Sequence, residues 1–138
     1  MVDALREARR VLIDCGVLIN MRPLLAPIAV EVIVASQTTW KKKVASYSAP
    51  EDVTAADAAM QLAMSSDWFA LKKSILFDFE ILCDTAAELS VYANARKLRG
   101  EDIPYDELER RRVELGAQGQ TPRLRCRRCW ILSAYRKQ

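Results

Sequence analysis

WFALKKSILFDFEILCDTAAELSVYANARKLR, residues 68–99, carries the longest regular apolar spacing in the chain. Leu71, Ile75, Phe79, Leu82, Ala86, Leu89 and Ala93 recur at intervals of three or four, near the 3.5-residue period of a coiled-coil seam. This spacing predicts a single helix from Trp68 to Arg99, about 48 Å long at the usual rise per residue. Gly100 is its expected left-handed C-cap, with Arg96, Lys97 and Arg99 placed against the negative end of the helix dipole.

Two further features fall on that helix. Glu80, Asp84 and Glu88 sit at i, i+4 and i+8, on a face opposite the apolar stripe. Phe77, Ile81 and Tyr92 flank that acidic row, so apolar residues occur on more than one side. Such a helix is buried in a larger core or covered by a partner. Phe77, Ile81, Tyr92, Glu80, Asp84 and Glu88 are therefore the candidate protein-interface residues. The usual reading of the acidic row is a solvated face; the alternative is a dock for arginines, a partner's or those of the chain's own C-terminal end.

Upstream, Ser48-Ala49-Pro50-Glu51 has the form of a capping box, and a helix is expected to start there or restart at Thr54. Ser65, Ser66 and Asp67 offer a break before the long element. Met1, Leu5, Ala8, Leu12, Cys15 and Ile19 mark one face of an N-terminal helix, ended by Arg22-Pro23. The segment PLLAPIAVEVIVASQTTW, residues 23–40, precedes Lys41, Lys42 and Lys43. Its β-branched run from Ile28 to Val34 admits a strand, a buried helix or a short membrane span. Glu31 at its centre would cost roughly 2.5–3.5 kcal/mol in mid-bilayer, and its end is polar. A core helix is the expectation here.

Downstream, Asp102 and Pro104 start a short helix through Leu115, closed by Gly116. The expected fold is thus mainly α: a compact bundle of four or five helices with one long central helix and a basic C-terminal tail. Its expected organisation is a helical domain over 1–116, a linker over 117–122 and the tail over 123–138.

That tail holds six basic residues and no acid, whereas residues 1–120 hold 15 basic and 18 acidic ones. The modest net charge of +3 hides this separation. Arg123, Arg125, Arg127, Arg128, Arg136 and Lys137 interleave with Trp130 and Tyr135, guanidinium groups for phosphate oxygens and rings for bases. These eight are the candidate anion- or nucleic-acid-binding residues. A lipid partner ranks last, because the stretch alternates poorly for an amphipathic helix.

Histidine is absent, which excludes Ser-His-Asp, Cys-His and HExxH chemistries. Cys126-Arg-Arg-Cys129 is a lone CxxC without a second knuckle for zinc, and it lacks the βαβ context of a redox pair. Its arginines are expected to lower the thiolate pKa. No metal, cofactor, catalytic residue or small-molecule substrate is assigned. The charged N-terminus does not read as a secretory signal, and four irregularly spaced cysteines fit a reducing, intracellular setting.

Three function classes remain. The first is a non-enzymatic interaction protein, a homo-oligomer or accessory subunit of a larger assembly. The second is RNA or DNA binding through the Arg-rich tail. An enzyme built on carboxylates, lysines or cysteines comes third, with no motif in its support.

Overall fold

The computed structural model describes residues 1–45, 50–95 and 103–138, and it replaces the helical bundle with a five-stranded antiparallel sheet and four helices. In chain order the elements are α1 (Val2–Val11), β1 (Val17–Pro23), β2 (Ile28–Val34), β3 (Gln37–Val44) and α2 (Pro50–Ser65). β4 (Phe69–Cys83), α3 (Ala86–Ala95), α4 (Tyr105–Ala117) and β5 (Pro122–Lys137) follow.

Residues 68–99 are not one helix. Residues 69–95 form β4, a break at Asp84 and Thr85, and then α3. Leu71, Ile75 and Phe79 stand four apart, an interval that suits a strand's period of two as well as a helix's 3.6. Phe69, Phe77 and Ile81 fill remaining odd positions, and this aromatic and β-branched content favours a strand. Past Thr85 the helical spacing holds, and Ala86, Leu89 and Ala93 are the buried residues of α3. The expected cap residues Arg96, Lys97, Arg99 and Gly100 lie outside the described residues.

The N-terminal helix stops at Val11, well short of Ile19. Leu12 is already extended, Cys15 takes φ 62°, and the Gly16 N–H bonds to the Ile13 carbonyl at 2.9 Å. A Cβ at Gly16 would stand 2.8 Å from that carbonyl oxygen, so the turn into β1 needs glycine.

Residues 23–40 contain no helix, core or membrane. β2 and β3 form a hairpin in which Val34 pairs with Gln37 across Ala35 and Ser36. Both turn residues have positive φ, 47° and 68°, the mirror-image turn whose twist matches that of the strands. A bulge follows Val32, where the Thr39 hydroxyl donates to the Val32 carbonyl at 2.9 Å. β2 is buried on both faces, which is why it reads as a continuous apolar run. Among the described residues no helix is long and apolar enough to cross a membrane.

The supposed basic tail is β5, which pairs with β1, β2 and β4. Leu124 and Cys126 are its buried residues at first, then Ser133 and Tyr135. The buried positions thus change from even to odd along one strand, and that break hides the alternation.

Two helices stand close to their expected places. α2 ends at Ser65 and runs unbroken through Thr54, although Ser48 and Ala49 of the expected capping box lie outside the described residues. α4 begins after Pro104 and ends at Ala117; Asp102 also lies outside them.

The chain folds into two compact units. One comprises Met1–Leu24, Ala49–Phe77 and Cys129–Gln138. Its core is Met60, Ala63, Phe69 and Tyr135, with Leu5, Ala8, Leu12 and Leu18 packed against them. The other comprises Leu25–Ser48 and Asp78–Arg128. There the sheet residues Ile28, Val30, Val32, Leu124 and Cys126 pack with Leu89, Ala93 and Leu108 of α3 and α4.

Candidate functional site

In the second unit, β-pairing sets Glu31 opposite Arg125 and Lys41, with Ala29 opposite Arg127. Side chains two apart on a strand share a face, so Arg123, Arg125 and Arg127 form one row. Glu31 is fully buried beneath that row. Arg125 Nε donates to one carboxylate oxygen at 2.7 Å and Arg127 donates to the other at 2.7 Å. Lys41 Nζ stands 3.3 Å away, and Arg125 also donates to the Thr38 hydroxyl at 3.0 Å. Burial alone would raise the Glu31 carboxyl, but the two arginine hydrogen bonds outweigh it and hold the carboxyl below its usual range.

β4 and the turn after it supply the remaining acids. Asp84 pairs with Arg123 at 2.7 Å, Asp78 lies 3.5 Å from Arg127, and Glu80 stands 3.8 Å from Arg125 and 4.0 Å from Arg127. Four carboxylates thus answer Lys41 and three arginines. Of the three acids read as one helical row, Glu80 and Asp84 stand beside the chain's own arginines, whereas Glu88, among the described residues, does not. Glu31, Lys41 and Thr38 were not among the candidate residues. Their only signal was a lone carboxylate within an apolar run, which demands a buried counter-charge.

Glu88 serves the backbone. It accepts the Asp84 N–H at 2.8 Å while the Thr85 hydroxyl accepts the Glu88 N–H at 3.2 Å, closing the start of α3. Glu109, held by Arg112, accepts the next free donor, the Ala86 N–H, at 3.0 Å. Tyr92 is half-buried on α3, close enough to act electrostatically on Arg128, whose pKa burial depresses. Ile81 packs on the core of the same unit.

The other tail residues belong to the first unit. Tyr135 is a core residue and offers no ring to a base. Trp130 is half-buried, and Arg136 is exposed. Lys137 donates to the Leu12 carbonyl at 2.6 Å and lies 3.6 Å from Asp14. It also lines an open cavity of about 470 Å³ with Arg6, Arg9, Arg10 and Glu7. In that cavity Arg10 is paired with Glu7, while Arg6 bonds Asp3 and lies over the Trp68 ring.

The CxxC pair cannot converge on one atom. Cys126 and Cys129 are three apart on a strand, so their side chains leave opposite faces. The expectation of an acidified thiol is overturned for Cys126. Burial, reinforced by neighbouring Cys83, pushes its pKa up to about 11 despite Arg128.

An open apolar side is the remaining feature of the first unit. Val17, Ile19 and Met21 are 53, 57 and 57% exposed, and their β5 partners are Arg136, Ala134 and Leu132. The opposite side carries Leu18 against Tyr135 and Asn20 against Ser133. There Ser133 shares a 2.7 Å hydrogen bond with Ser74, so the next β4 residue, the exposed Ile75, falls with the Ile19 group.

Compared with known protein families, characterised proteins and solved structures, the chain matches none.

Proposed function

We propose that this protein is a non-enzymatic interaction protein, an oligomer or an accessory subunit of a larger assembly. One observation carries the reading: Val17, Ile19, Met21 and Ile75 share one uncovered side of a sheet. Fully burying one such side chain contributes about 1.5–3 kcal/mol. A half-exposed set of four therefore supplies several kcal/mol to whatever covers it. Scattered apolar surface residues are ordinary, whereas a contiguous set on one sheet face marks a contact surface.

The nucleic-acid reading loses the support of three of its arginines. Arg123, Arg125 and Arg127 have intramolecular carboxylates, and their row with Lys41 is balanced by Glu31, Asp78, Glu80 and Asp84. Phosphate binding would have to displace those acids.

The test is the solution mass of the purified protein across a wide concentration range, beside Ile19→Asp and Met21→Asp. The expected result is a mass above the 15.6 kDa of one chain, or a stoichiometric protein partner, in either case lost with the aspartates. A monomer at every concentration that holds no partner overturns the reading.

A further inference from the structure

The cavity of about 470 Å³ walled by Arg6, Glu7, Arg9, Arg10 and Lys137 lies wholly within the first unit. Leu5, Ala8 and Leu12 turn toward the core of that unit, and the arginines at 6, 9 and 10 follow along the flank of the same helix face. Lys137 stands two residues beyond Tyr135 on β5, so it leaves the sheet on the side that α1 covers. Ile19 and Met21, on which the interaction reading rests, belong to the other side.

Arg9 is the informative residue. Its Nε is shielded from water without a hydrogen-bond acceptor, and among the described residues it pairs with no carboxylate. A buried guanidinium N–H left unbonded is costly, and an anion beside it restores the bond. Cations are common in the last turn of a helix, where they offset the dipole. Lys137 already serves that end of α1 by donating to the Leu12 carbonyl. The carboxylates that meet the other cations are solvated: the side chains of Asp3 and Glu7 are 93 and 59% exposed, and Asp14 is fully exposed. Such pairs contribute little, so a more highly charged anion exchanges for them readily.

We infer that this cavity binds a small molecule carrying two or more linked phosphate groups, with Arg9 as its anchor. A guanidinium fork fits phosphate oxygens in pairs, and the lysine adds a point charge. Four cationic side chains carry more donors than the oxygens of one phosphate group accept, which selects a di- or triphosphate over orthophosphate. The volume falls within the range of small-ligand sites, about 300–1,000 Å³, and this favours a compact ligand over a nucleic-acid strand. The inference does not draw on the interaction reading, so either can fail alone.

The test is calorimetric titration of the full chain with pyrophosphate, tripolyphosphate and orthophosphate at about 0.15 M salt. The expected result is one pyrophosphate or tripolyphosphate per chain, held at least about ten-fold more tightly than orthophosphate. Arg9→Gln is expected to weaken that binding at least about ten-fold, and Arg9→Lys, which keeps the charge but loses the fork, by less. Arg10→Gln, at a side chain 71% exposed, is expected to weaken it without disturbing the fold. Lys43→Gln removes a charge from the other unit and is expected to leave the affinity within about two-fold. Absence of polyphosphate binding overturns the proposal, as does orthophosphate bound equally well. Equal losses from Lys43→Gln and Arg9→Gln overturn it too, since they report overall charge and no site. A single-stranded RNA that binds through Arg9 where pyrophosphate does not overturns it in favour of the nucleic-acid reading.

Discussion

Arg125 and Glu31 lie 94 residues apart in sequence and 2.7 Å apart in space, and the Glu31 carboxylate is wholly shielded from water. A buried carboxylate costs several kcal/mol in lost hydration unless its partners restore the hydrogen bonds. Arg125, Arg127 and Lys41 do so from two flanking strands, β5 on one side and β3 on the other. The pairing joins the most basic stretch of the chain to its most apolar one.

Glu31→Gln leaves two partly buried guanidinium groups facing a neutral amide. Removing one partner of a buried ion pair costs about 3 kcal/mol or somewhat more. Denaturant unfolding of the two proteins, compared at equal slope, measures the difference. A loss below about 0.5 kcal/mol would show the cluster to be a solvated surface network.

The same carboxyl makes stability depend on pH in a defined direction. Its folded pKa lies below the ordinary value of 4.5, so the unfolded chain binds the proton more readily. The contribution is complete above pH 4.5 and is lost as pH falls through the folded value. Wild type and Glu31→Gln are therefore expected to differ most near neutrality and to converge in acid. Glu109, also held low by Arg112 and the Ala86 N–H, is present in both proteins and cancels in the difference.

The β2–β3 turn places Ala35 and Ser36 in the left-handed region, which disfavours residues carrying a Cβ by about 1–2 kcal/mol each. Ala35→Asn with Ser36→Gly supplies the residue pair this turn prefers. Thermal unfolding is expected at a midpoint higher by about 3–6 °C. An unchanged or lower midpoint would argue against the two-residue turn and the register Val34–Gln37.

Cys126 is buried and its thiol is pushed up to about 11, whereas Cys15 is exposed. Iodoacetamide should label Cys15 in the native protein and reach Cys126 only on unfolding. Peptide mass mapping before and after denaturant reads this directly. Rapid native labelling of Cys126 would contradict the core assigned to the second unit.

Local chemistry made several elements legible. Pro104 marks the approach to α4, Ser65 to Asp67 end α2, and Ala86, Leu89 and Ala93 show the helical face of α3. Each depends on residues within a turn or two of one another. The sequence also determined that acids and arginines are segregated and that histidine chemistry is absent.

Strand against helix at Phe69–Cys83 was not decided locally, because an interval of four satisfies both periods until a neighbouring strand makes one of them useful. β5 supplies that neighbour, and β5 was itself hidden because its buried residues change parity between Cys126 and Ser133. Only the tertiary structure decided that Arg123, Arg125 and Arg127 face Asp84, Glu31 and Glu80. A charge in sequence has no partner until the sheet brings one within a few ångströms, and Coulomb attraction and hydrogen bonding act over that distance, not over residue count.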